Sequence, residues 1–145
     1  MHKLIKNITD NLFFNSKDYG ILFLRMVPSF YLFYNHGLSK LANGVSSWQW
    51  LGKAVMPLVG IDFGHTFFGF LAACSEGILS IFVIIGFWTR LSSFFISITM
   101  FFAGLYHFVD GESAESAFIY LSIYIVIIIL GSGRYSMDNY FNRNN

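Results

Sequence analysis

The chain has 145 residues, 55% of them hydrophobic and 12% charged, against about 25% charged in soluble domains, so it has too little polar surface for a water-exposed shell. A net charge of +1 excludes nucleic acid as a partner, and a single cysteine, Cys74, excludes an intramolecular disulfide and a CxxC redox pair. The composition is that of an integral membrane protein whose first partner is the lipid bilayer, and the 18 Phe residues read as bulk facing lipid.

Residues 1–18 mix Lys3, Lys6, Asp10, Lys17 and Asp18 with apolar residues, and no cleavable signal with an unbroken apolar stretch is visible. Leu4, Ile5, Ile8 and Leu12 recur at helical spacing, which reads as a short N-terminal amphipathic helix on the membrane surface or, equally, as a loose tail. A first span is expected over 19–41. It holds Pro28, tolerable where neighbouring helices satisfy the freed carbonyl. It also holds a polar stripe: Arg25, Ser29, His36 and Lys40 fall within a sector of about 60° at 3.6 residues per turn.

The connection 42–63 is the one long loop, and its Trp48, Trp50 and Leu51 suggest an interfacial segment at headgroup depth. Spans two and three are expected over 64–87 and 89–109. Span two carries Glu76 beside a small face of Gly69, Ala73 and Gly77, with Cys74 and Ser75 read as packing because no base and orienting acid accompany them. Ser93, Ser97, Gly104 and His107 share one side of span three. After the acidic turn of Asp110, Glu112 and Glu115 comes span four, 114–131, with Tyr120 and Tyr124 a turn apart.

The fold class is therefore all-α, a single membrane domain over 1–145 built as a four-helix up-down transmembrane bundle. Lys3, Lys6, Lys17, Arg90, Arg134 and Arg143 fall on one side and Lys40 and Lys53 on the other, which places both termini in the cytoplasm and the protein in the inner, plasma membrane.

Charge at the bilayer centre costs ~2.5–3.5 kcal/mol even on lenient insertion scales, so Arg25 and Glu76 each need a partner. By helical rise, Arg25 lies about 9 Å and Glu76 about 16 Å from the cytoplasmic end of their spans. They are expected to pair, either to fix helix register alone or to serve chemistry. His36 and His107 lie at about 25 and 27 Å by the same rise, with His65 at the outer boundary. No HxxxH or HxxE spacing supports a metal site. A quinone head group among His36, His107, Tyr34 and Tyr106 is the sharper candidate.

The motifs also carry a resemblance. LRMVPSFYLFYNHGLSKL in span one, SEGILSIFVIIGFWTRLSS across spans two and three, and the tail LGSGRYSMD resemble, in order and spacing, the DoxX family of small four-span membrane proteins. The resemblance covers nearly the whole chain. It implies roles for Arg25, His36, Gly37, Lys40, Glu76, Gly86, Arg90, Gly133, Arg134, Tyr135 and Asp138, while Pro28 and Ser132 depart from its pattern. It also implies a subunit of a quinone-linked membrane oxidoreductase. The sequence shows no haem axial pair, flavin motif or iron–sulfur cysteines, so electrons are expected to come from a redox-complex partner protein or to pass directly to bound quinone. Arg25, His36, Lys40, Glu76, Tyr106 and His107 are the candidate ligand-binding residues, and no catalytic residue is singled out. The alternatives are an assembly or binding factor in which the Arg25–Glu76 pair is purely structural, and a transporter, which with four spans would need to form a homo-oligomer.

Overall fold

The computed structural model describes residues 2–144, with side chains from residue 16 onward. All the regular structure among them is helical. Helix α1 (His2–Leu32) contains Pro28 and widens into a π-turn, Phe33–Gly37, before α2 (Leu38–Ala42). The side chains of Leu4, Ile5, Ile8 and Leu12, on which the amphipathic reading rests, lie outside the described residues.

The long connection is a helix, α3 (Gly44–Val55), followed by a 3-10 turn (Met56–Val59) closed by the left-handed Gly60. It turns back against α4 (His65–Cys74). Two glycines explain the fit: a methyl group at Gly52 would overlap the His65 backbone, and one at Gly69 would overlap the backbone of Trp48. Main chain thus meets main chain, the arrangement that small residues permit between apolar helices. Trp48 adds an indole N–H bond to the Lys40 carbonyl (3.0 Å) and an edge-on contact with Phe70. The Trp rings were expected to hold this segment at the interface; Trp50 is exposed and Trp48 packs inward.

A second π-turn, Ser75–Leu79, joins α4 to α5 (Ser80–Ile85), and a tight turn through the left-handed Gly86 and Trp88 leads to α6 (Thr89–Asp110). Helix α7 (Glu115–Leu130) follows, and α8 (Met137–Asn144) closes the chain. The stretches His65–Ile85 and Thr89–Asp110 are long and apolar enough to cross a bilayer, and Glu115–Leu130 is a shorter apolar helix.

Leu32, Val83, Ile96, Met100, Tyr124 and Ile127 form the core, drawn from α1, α5, α6 and α7. The outside is apolar as well: Phe23, Phe30, Phe94, Phe101, Ile119 and Ile129 are all exposed. A water-soluble bundle buries one stripe per helix, whereas here large apolar side chains lie on the outside and Arg25, Ser29, Glu76, Ser80 and Ser93 are buried within.

Candidate functional site

Arg25 is 1% exposed and does not meet Glu76. Its guanidinium donates to the carbonyls of Val83 (2.8 Å), Ile84 (3.0 Å), Tyr135 (3.1 Å) and Ser132. The first two belong to the last turn of α5, which carries the negative end of the dipole; the Val83 carbonyl also accepts from the Gly86 N–H (3.2 Å). Helix α5 ends at Gly86, which packs against the guanidinium so closely that a methyl group there would overlap it. Asp138 completes the junction by accepting from the backbone N–H groups of Trp88 (2.8 Å) and Thr89 (2.9 Å), capping α6. Its own N–H donates to the Gly86 carbonyl (2.9 Å).

Glu76 is 2% exposed and is held by Lys40, whose ammonium lies 2.6 and 2.5 Å from the two carboxylate oxygens. The expected Arg25–Glu76 pair is thus replaced by Lys40–Glu76, and the reason is register. Gly37 has no side chain, so its backbone lies against the Glu76 carbonyl and the Gly77 Cα. Twelve residues separate Gly37 from Arg25, a rise of about 18 Å, beyond the reach of an Arg and a Glu side chain together. Depths counted from span ends missed this because the contact levels are set by glycines and π-turns instead. Both π-turns sit at this contact, carrying His36 and Gly37 on one side and Glu76 on the other, and such turns are frequent at functional sites.

Two cavities meet at the ion pair. One is a groove of about 720 Å³ between α3, α4, α5 and α6, walled by apolar side chains with Ser75, Lys40 and Glu76 among them. The Ser75 hydroxyl is buried without a hydrogen-bond partner, an expensive condition for a polar atom. The other cavity is small and polar, about 60 Å³, and is lined by His36, Lys40, Glu76, His107, Ser116 and Tyr120, together with Leu32, Met100, Ala103 and Ala117. His36 meets Tyr120 edge-on, and His107 Nδ1 lies 2.8 Å from the exposed Glu112 carboxylate.

A DoxX family model matches residues 20–108. The chain belongs to the DoxX family. No match was found among curated proteins or among solved structures. The DoxX match contains Arg25, His36, Lys40, Glu76 and Arg90, while Gly133, Tyr135 and Asp138 lie beyond it and fold back on the Arg25 junction: Gly133 packs on Ile21, and Tyr135 stacks on Tyr19 at 5.1 Å. Ser132, also beyond the match, contributes one of the four carbonyls around Arg25.

Of the six candidate residues, His36, Lys40, Glu76 and His107 come together at the small cavity. Arg25 stands apart at the α5 terminus. Tyr106 faces Trp50, with ring centroids 6.4 Å apart, and Tyr34 stacks on Phe30; Tyr120 takes the aromatic place beside His36. His65 lines neither cavity, and its Nδ1 is buried without a partner. Sequence reasoning missed Ser75, passed over as packing. The one signal for it was its position next to Glu76. Among the described residues no group of three or more His, Cys, Asp or Glu side chains is placed to hold a metal ion.

Proposed function

We propose that this DoxX protein crosses an inner membrane four times, with both termini in the cytoplasm, and binds a quinone head group against the Lys40–Glu76 pair as a subunit of a membrane redox complex. The greasy outer surface and the segregation of Arg90, Arg134 and Arg143 from the acidic turn at 110–115 support the topology. The observation that carries the ligand is that one buried ion pair forms part of the wall of an apolar groove large enough for a ring and part of its tail. The small cavity, at about 60 Å³, is water-sized, so the ring belongs in the groove and not among the histidines.

The residues fit such a group. Lys40 supplies donors to a carbonyl oxygen, Glu76 an acceptor for a hydroxyl, and the unpartnered Ser75 hydroxyl a further bond. A quinone held there would supply the electron- and proton-accepting chemistry, with Lys40, Glu76 and Ser75 holding its head group and a partner protein of the redox complex delivering the electrons.

The test is photolabelling of membranes with an azido-quinone. Label is expected on peptides of α4–α5 or α6, competed by native quinone and reduced at least about tenfold, some 1.4 kcal/mol, in both Glu76→Gln and Ala72→Trp, the second filling the groove. Label that resists competition, or that is unchanged in both variants, overturns the reading.

A further inference from the structure

The ion pair has a second side. Between Glu76 and the exposed His107–Glu112 contact lies the polar cavity of about 60 Å³. It has the volume for a short file of waters and more than the two to four polar partners a water needs. At its open end Ser116 and His36 are exposed. In the other direction the hydroxyls nearest Glu76 are spent on neighbours, while those of Thr89 and Ser93, in the first turns of α6, are buried without a partner. The Ser80 hydroxyl donates to the Glu76 carbonyl (2.7 Å), and the Tyr124 hydroxyl donates to Ser29 Oγ (2.9 Å). Leu32, Val83, Ile96 and Ile127, each 0–1% exposed, pack around them. Beyond that plug Arg25 is bonded to four carbonyls.

We propose that this cavity is a one-sided proton inlet: Glu76 exchanges its proton with bulk water through a file of waters at the His107 end, and the packed core up to Arg25 closes the other end. A proton arriving as hydronium converts the carboxylate to the acid and leaves a water; its departure reverses both. The ionisable groups facing Glu76 are Lys40 and His36 from the α1–α2 arm, His107 from α6, and Tyr120 and Tyr124 from α7; α3 contributes none to either cavity. The inlet rests on the proposed quinone site only in purpose, since a ring held at Glu76 would draw its protons from this side; the exchange itself needs no ligand.

Two ligand-free measurements test it. In a Cys74→Ser background, single cysteines at Ala117 in the cavity wall, Ser116 at its mouth and Ile96 in the plug are exposed to silver ion, a water-sized thiol reagent, in membrane vesicles of each orientation. Ala117→Cys is expected to react within roughly tenfold of Ser116→Cys from the Ser116 side. Ile96→Cys should react about a hundredfold more slowly from either side, limited by local opening. An Ala117→Cys thiol as protected as that of Ile96→Cys, or an Ile96→Cys thiol reacting freely from the Arg25 side, overturns the inlet. Because cysteine variants can pack badly, infrared spectra of the otherwise native protein give a second readout: a carboxyl band that grows on acidification, shifts on transfer to D2O within minutes, and is missing in Glu76→Gln. A band that Glu76→Gln leaves in place, or one that stays unexchanged in D2O for hours, overturns it as well. Neither measurement uses quinone, so quinone binding with a dry cavity and a wet cavity without quinone binding are distinct results.

Discussion

The two ends of the bundle each bury a charge and dispose of it differently. Arg25 is surrounded by four carbonyls of its own chain, two at the C-terminal end of α5 and two in the tail. Glu76 has a single counter-charge, Lys40, whose side chain is 21% exposed and which, with Glu76, borders two cavities. A charge whose bonds are all made by backbone can do little except hold that backbone. A charge paired to a partly exposed amine beside open volume has room to bind a ligand. The intramembrane charge alone therefore did not distinguish structure from function; the identity of its partners did.

The largest expected effect tests the structural end. Arg25→Ala removes the donors to four carbonyls, of which that of Val83 keeps a backbone partner in the Gly86 N–H, and should cost about 3–5 kcal/mol, the range for breaking a buried charged network. It is read as a large drop in melting temperature in detergent and loss of the folded peak on size exclusion. Arg25→Lys should rescue only in part, because a point ammonium cannot reproduce a planar fork that serves carbonyls of two segments. Near-normal melting of Arg25→Ala would erase the contrast between the two ends.

Next comes the contact that sets the register between them. Gly37→Ala places a methyl group inside the Glu76–Gly77 backbone, and either the α1 arm shifts or the π-turns distort, at about 1–3 kcal/mol by the usual cost of overpacking. Because Lys40 lies one turn beyond Gly37, the shift should also weaken its hold on Glu76. The variant is thus expected to lose quinone labelling out of proportion to its lost stability. A stability loss with labelling intact would show that the pair tolerates the slip.

Asp138→Ala should cost about 0.5–2 kcal/mol, as for other helix caps. It frees the two N–H groups at the start of α6 and loosens the tail from the Gly86 turn. Proteolysis of the tail at Arg143, or hydrogen exchange at Trp88 and Thr89, would report it directly. No effect on labelling is expected, because the cap lies at the Arg25 end.

How much of this was legible in the sequence follows from the same contrast. The helical class and the stripe of Arg25, Ser29, His36 and Lys40 could be read, because periodicity and hydropathy are local properties. Membership of the DoxX family was carried by ordered motifs, and the family match over residues 20–108 bears it out. The partners of the charges could not be read. They depend on the level at which two helices meet, and that level is set here by Gly37, Gly52, Gly69 and Gly77, where backbones touch, and by two π-turns that change the rise along the helix. A residue count from the span ends assumes uniform helices and misplaces Glu76 relative to Arg25. That 42–63 contains a helix lying on α4 was hidden for a related reason: Gly52 and Gly69 permit the close approach, a pairing that no single-helix pattern announces.

The smallest expected effect is the most discriminating. Replacing both members of the ion pair, as in Lys40→Met with Glu76→Met, removes the charges together and leaves apolar chains of similar length in a site already walled by Leu51, Leu71 and Leu79. A buried pair exchanged for packed hydrophobic residues is usually neutral or stabilising, so the double variant should melt within about 1 kcal/mol of the parent or above it. Glu76→Met alone should be less stable, because it leaves the Lys40 ammonium facing the groove without a counter-charge. Quinone labelling and the infrared carboxyl band should nevertheless both disappear in the double variant. That separation, fold retained and both site signals gone, is the signature of a pair maintained for what it binds. If instead the double variant unfolds as Arg25→Ala does, the two ends of the bundle are alike after all, and Lys40–Glu76 is a second structural clamp.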